Sequence, residues 1–149
     1  IGKAYPDGKT QKLRGDAASM MCVKNPKRCE GGVTSNLCGD ILTDLGAAIA
    51  GGMGLAAGAN LNPERKYPSM FEPIHGSAPD IAGKAIATPL ASIWSVSQML
   101  DFFGKEAWGK RVLAAIETLL VEKETLTPDL GGTAKTQDIG EAILKILRR

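Results

Sequence analysis

Residues 72–84 read Glu-Pro-Ile-His-Gly-Ser-Ala-Pro-Asp-Ile-Ala-Gly-Lys, a run with two prolines and two glycines. Neither a helix nor a strand can hold that spacing of breakers. The run belongs to a loop from Pro73 to Ala87, long enough that the elements on both sides must form a scaffold for it. Upstream, Met70-Phe71-Glu72 reads as a brief strand. Downstream the chain is helical: Thr88-Pro89 supplies an N-cap and a first-turn proline, and Gly104 supplies the stop. Between them Leu90, Ile93, Trp94, Ser97, Leu100 and Phe103 lie mostly on one face. A second helix turns Val112, Ile116, Leu119 and Leu120 inward, and a third, from about Gln137, does so with Ile139, Ile143, Ile146 and Leu147. Trp94 and Trp108 are expected in the core.

Before the loop, Asp16 to Lys24 reads as a short helix ending ahead of Asn25-Pro26, because a residue before proline is pushed out of helical geometry. Val33-Thr34-Ser35 fits the end of a strand. Ser35 or Asn36 then caps a helix whose apolar positions Leu37, Ile41 and Leu45 step by four. Four glycines between Gly51 and Gly58 point to a packed strand or a loop in close backbone contact. Residues 60–66 form a polar turn. Strands interleaved with helices indicate an α/β fold.

The 149 residues suffice for one ordinary domain, and 44% hydrophobic with 23% charged residues describes a globular chain. A net charge of +2 gives no electrostatic reason to expect nucleic acid or an anionic membrane as partner. No apolar run reaches the ~18 residues of a membrane span. The first residues have no secretory apolar core. The chain starts at Ile1 without an initiator Met, so processing, trimming or incompleteness is expected. Cys22, Cys29 and Cys38 form no zinc pattern, and their odd number argues against a disulfide framework. Inert thiols in a reducing, cytoplasmic compartment are the expectation.

Asp40 and Asp44 stand four apart on the second helix, which puts their Cβ atoms roughly 5–6 Å apart on one face. Two like charges there repel, whereas a hard divalent cation such as Mg²⁺ or Mn²⁺ reverses that sign. Spacing alone favours the plainer account, acidic residues in early turns that complement the helix dipole. The 72–84 loop offers backbone N–H groups and fixed polar side chains, the ingredients of a nucleotide pocket. An acidic side chain there suits ribose hydroxyls and repels a 2′-phosphate, favouring NAD over NADP. The loop is not a Gly-x-Gly-x-x-Gly fingerprint, and His75 by itself reads as a loop or core histidine.

The two segments together carry a resemblance. Ser35-Asn36-Leu37-Cys38-Gly39-Asp40-Ile41-Leu42-Thr43-Asp44-Leu45 resembles the metal-site signature of the isocitrate/isopropylmalate/tartrate dehydrogenase family. Phe71-Glu72-Pro73-Ile74-His75-Gly76-Ser77-Ala78-Pro79-Asp80-Ile81-Ala82-Gly83-Lys84 resembles its cofactor loop. Order and separation match, and the similarity runs from about Asp16 to the end. Residues 59–65 and Ile93-Trp94-Ser95 look most like the tartrate/D-malate branch.

That resemblance implies a part of a two-domain α/β mixed-sheet fold. Residues 1–50 would belong to the smaller, dimerising, metal-site domain and residues 51–149 to the larger, cofactor-carrying one. It implies Asp16, Asp40 and Asp44 as metal ligands, Asp16 reaching the neighbouring subunit's site in a homodimer. It implies Glu72, His75, Gly76, Ser77, Ala78, Pro79, Asp80, Ile81, Gly83, Lys84 and Thr88 at the NAD site, with Asp80 on the ribose. The activity implied is oxidation and β-decarboxylation of a 2-hydroxy acid. The acid/base Tyr and Lys lie in a part of the family absent here, so no catalytic residue is assigned and the chain alone is expected to be inactive. Asp129-Leu130-Gly131-Gly132 matches a family turn near the cofactor, with a structural role equally open. Cys29 and Cys38 stand where the family has Phe, Gly15, Gly31 and Gly32 where it has β-branched residues, and Thr88 where it has an Asn. Cysteine for a core Phe would cost about 2–4 kcal/mol in unfilled volume. A second reading from another class is a non-catalytic remnant that binds metal, nucleotide or a full-length partner.

Overall fold

The computed structural model of the chain describes residues 3, 6–28 and 31–149. The chain divides into two compact units, Ile1–Ala50 and Gly51–Arg149.

In the first unit, α1 (Gly15–Lys24) carries Asp16 in its first turn and Lys24 in its last, each matching the helix dipole. It closes at Asn25, whose amide donates to the Met21 carbonyl, and a 3-10 turn follows at Pro26–Arg28. The second helix, α2 (Asn36–Ile49), starts after an extended Ser35 at the N-cap, whose hydroxyl makes no cap bond. The two helices pack on each other. Among the described residues of this unit only Ala47 is buried. Leu37 and Ile41, spaced as a core stripe, are 71% and 58% exposed. The period of four thus marks an apolar face that this chain leaves uncovered. No strand forms at Val33-Thr34-Ser35, and Val33 is exposed. Gly31 and Gly32 lead into it with open space where side chains would pack, which disfavours an extended, paired segment.

The second unit opens at Gly51 and Gly52, with φ of +125° and +118°, and a 3-10 turn at Met53–Leu55. Strands β1 (Ala57–Asn60) and β2 (Met70–Pro73) then pair antiparallel, Ala57 opposite Pro73 and Asn60 opposite Met70. The ribbon packs against α3 (Leu90–Phe102). Two further helices, α4 (Glu106–Glu122) and α5 (Thr136–Leu147), complete the unit. The core sits where the three helices meet: Leu90 from α3, Ala115, Ile116 and Leu119 from α4, Ile139 and Ile143 from α5. Burying each leucine and isoleucine among them is worth about 1.5–3 kcal/mol.

Gly104 takes φ +73°, and its amide donates to the Asp101 carbonyl, so the stop read from the sequence is a left-handed C-terminal turn. The start differs. Pro89 is the N-cap, its carbonyl already accepting the Ile93 amide, and the Thr88 side chain makes no cap bond. Trp94 packs against the core, whereas Trp108 is 58% exposed beneath the Arg111 guanidinium, 5.1 Å from its ring centroid. Trp108 is therefore a surface stacking residue and not a core aromatic. No helix among the described residues is long and apolar enough to cross a membrane.

Candidate functional site

On α2, Asp40 and Asp44 are both exposed, one turn apart. Asn36 Nδ2 donates to Asp40 Oδ2 at 3.2 Å, and Thr43 Oγ1 donates to the Asp40 carbonyl at 3.0 Å. One carboxylate is thus already oriented by its own helix. Asp16, exposed at the start of α1, accepts the Ala17 amide at 2.9 Å. Among the described residues no group of three or more His, Cys, Asp or Glu side chains gathers to hold a metal, so Asp16 does not join the pair within one chain. Two oxygen-donor side chains on one solvent-facing turn suit a hard cation that completes its shell from elsewhere. Cys38 is exposed, so the cavity cost expected for cysteine in place of a core Phe does not arise in this chain; Cys29 lies outside the described residues.

The second unit builds the loop. Ile74, just past β2, donates its amide to the Ala56 carbonyl at 3.0 Å and lays its side chain over Gly58. His75 is half-buried, with Nδ1 2.9 Å from the Gly76 carbonyl. A carbonyl only accepts, so that bond requires a proton on Nδ1. Ala78 takes a left-handed φ of 43°, and a 3-10 turn follows at Pro79–Ile81. The Ile81, Ala82 and Lys84 amides donate to the carbonyls of Ala78, Pro79 and Ile81. Gly76, Ser77, Ala78, Pro79, Asp80, Gly83 and Lys84 are exposed, and Ile81 is half-buried. Glu72, on β2, is exposed as well.

Where the loop ends, three separate segments converge. Thr88 is 7% exposed, and among the described residues its Oγ1 has no hydrogen-bond partner. A Cβ at Gly54 would collide with Thr88 Cγ2 and lie 3.0 Å from Asp129 Oδ2. Glycine at 54 therefore leaves room for the Thr88 methyl group and the exposed Asp129 carboxylate, which come together beside the first turn of α3. An orphaned buried hydroxyl costs roughly 1–3 kcal/mol, which a polar ligand edge would recover. The sequence assigns Thr88 to the helix cap and, by the family resemblance, to the NAD site, and leaves Asp129 open between a turn near the cofactor and a structural role; Gly54 stands out there only as one of a cluster of glycines.

The match to known proteins is extensive. A family model described as isocitrate/isopropylmalate dehydrogenase matches residues 1–143. The chain belongs to the isocitrate/isopropylmalate dehydrogenase family. Within that family it is 44% identical over 147 residues to a probable tartrate dehydrogenase/decarboxylase of Agrobacterium vitis, covering 99% of this chain and 41% of that protein. It is 47% identical over 154 residues to D-malate dehydrogenase [decarboxylating] of Escherichia coli (strain K12), covering 100% of this chain and 42% of that one. The structure of isocitrate dehydrogenase from Methylococcus capsulatus superposes with a TM-score of 0.92 at 40% identity, over 100% of this chain and 44% of that one. The fold is thus an isocitrate/isopropylmalate dehydrogenase-like fold in part, and the chain spans about two fifths of the length of the relatives it matches.

Proposed function

We propose that this chain supplies the metal-binding helix and the NAD-binding loop of an oxidoreductase that oxidises and β-decarboxylates a 2-hydroxy dicarboxylic acid of the tartrate/D-malate type. The observation that carries the reading is the notch of Gly54, Thr88 and Asp129 at the end of the 75–84 loop, with its buried unpartnered hydroxyl. Asp80, exposed on its 3-10 turn, faces solvent where a ribose diol can reach it, and its charge disfavours a 2′-phosphate. His75 to Ile81, with Glu72, Gly83, Lys84 and Thr88, line the adenosine end. Asp40 and Asp44 hold Mg²⁺ or Mn²⁺ from one protomer, and Asp16 reaches the cation of a partner in a homodimer. When bound, the cation would supply Lewis acidity toward the hydroxyl being oxidised and NAD would supply the hydride acceptor. By the family resemblance the general acid and base lie outside these 149 residues, so in this reading they bind ligands without turnover. A cytoplasmic setting follows from the same reading.

The test is a titration of the purified chain with NAD and NADP, followed by an assay with D-malate, NAD and Mn²⁺. NAD should bind at least about tenfold more tightly than NADP, a difference of ~1.4 kcal/mol. Asp80→Asn should erase most of that preference. Equal binding of both nucleotides, or none, contradicts the nucleotide reading; D-malate oxidation by the chain alone contradicts the claim that it lacks the proton chemistry. The exposed Leu37 and Ile41 favour a second reading, a non-catalytic chain that docks on a full-length partner, and sustained absence of NAD binding would support it.

A further inference from the structure

The loop is held at its far end by a residue that no functional assignment above includes. Thr136 is the first residue of α5. Its amide donates to the Ala85 carbonyl at 2.9 Å, and its Oγ1 donates to the Ala87 carbonyl at 2.6 Å, across 49 residues of sequence. The first amides of any helix have no partner within it, and here one such orphan is satisfied by the loop instead. We propose that Thr136 is a positioning residue for nucleotide binding, and that it acts by fixing the Ala87–Thr88 peptide plane. The proposal rests on the nucleotide reading given above.

Three observations carry it. Ala85 sits at φ 54°, a left-handed conformation that a residue with a Cβ keeps only where its surroundings determine it more than once. The two Thr136 bonds flank Ile86 and supply that determination from outside the loop. The carbonyl that Oγ1 holds belongs to the peptide joining Ala87 to Thr88, so it fixes the backbone from which the buried, unpartnered Thr88 hydroxyl projects. Meanwhile α5 is anchored independently. Ile139 and Ile143 are buried in the core, and Asp138 closes the helix start by accepting the Lys135 amide at 2.7 Å. Loss of the Thr136 hydroxyl should therefore loosen the Ala87 end of the loop, the amide bond to Ala85 remaining, and leave the helix in place.

Thr136→Val keeps the branched shape and removes the donor, and Thr136→Ser keeps the donor. Each variant of the 149-residue chain is titrated with ADP-ribose, which carries the adenosine end without the nicotinamide. Amide hydrogen exchange is followed over residues 82–90 and, separately, over residues 139–147. The valine variant should bind ADP-ribose roughly three- to tenfold more weakly, the range one lost hydrogen bond spans. Its loop amides should exchange faster while the α5 amides keep their protection, and the serine variant should return both readouts toward the parent. The proposal is overturned if valine binds as the parent does, if serine and valine behave alike, or if valine loses α5 protection together with binding. Binding by the parent chain reports on the nucleotide reading and the variant-to-parent ratio reports on Thr136. A parent that does not bind ADP-ribose removes the reading and this inference with it.

Discussion

Two glycines in the second unit respond in opposite directions to the same change. Gly109, on α4, faces α3 so closely that a Cβ would run into the Asp101 carboxylate and lie 2.9 Å from the Ser97 carbonyl, while Ser97 Oγ donates to the Gly109 carbonyl at 2.9 Å. Gly109→Ala should lower stability by about 1–3 kcal/mol, the usual cost of overpacking. Gly140, on α5, has nothing within 4 Å of a Cβ, and Gly140→Ala should raise stability by up to ~1 kcal/mol through helix propensity. Urea denaturation of the two variants against the parent checks both signs. Neither glycine could be sorted from the sequence, where each is an isolated Gly in a helical pattern. What separates them is a neighbour on another helix. Thr88 shows the same limit: Thr-Pro before an apolar run is a sound cap signal, yet Pro89 is the N-cap and, among the described residues, the buried Thr88 hydroxyl has no partner. Glycines 51–58 were better legible, since crowding of glycine announces close backbone approach whatever the partner is.

On the scale of elements, the helices were read with little error, because caps, stops and a 3.6-residue period are local signals. The α3 stop at Gly104 and the inward faces of α4 and α5 stand as expected. The extended segment at 33–35 was not legible, since strand formation depends on a pairing partner and none is present there among the described residues. The Asp40–Asp44 pair makes a prediction that belongs to its helix. Without a cation, the two carboxylates one turn apart repel, and Asp44→Asn should stabilise α2 by about 0.2–0.5 kcal/mol. With saturating Mn²⁺ the sign should invert, because the parent gains binding energy that the variant lacks. Thermal melts of both proteins with and without Mn²⁺ decide it, and a variant that is stabilised equally in both conditions would mean that the pair repels and holds no cation.

Across the whole molecule, the two units differ in how much apolar surface they cover. The second has a core from three helices, while the first leaves Met20, Val23, Leu37, Ile41 and Ile49 between 46% and 71% exposed. An apolar face on that scale commonly marks an association surface. Sedimentation equilibrium should show the chain self-associating, and Leu37→Glu with Ile41→Glu should shift it toward monomer. A parent chain that stays monomeric at tens of micromolar would remove the homodimer from the account. The family was legible from two motifs; the uncovered face was not, because periodicity reports that a stripe is apolar and not what lies against it.

The central claim is that Asp40 and Asp44 form one half of a cation site. Water-proton relaxation of Mn²⁺ titrated with the chain, and with Asp40→Asn and Asp44→Asn, tests it most directly. The account predicts saturable binding by the parent and a loss of at least about tenfold, ~1.4 kcal/mol, in each variant. Identical titration curves for all three proteins would contradict it.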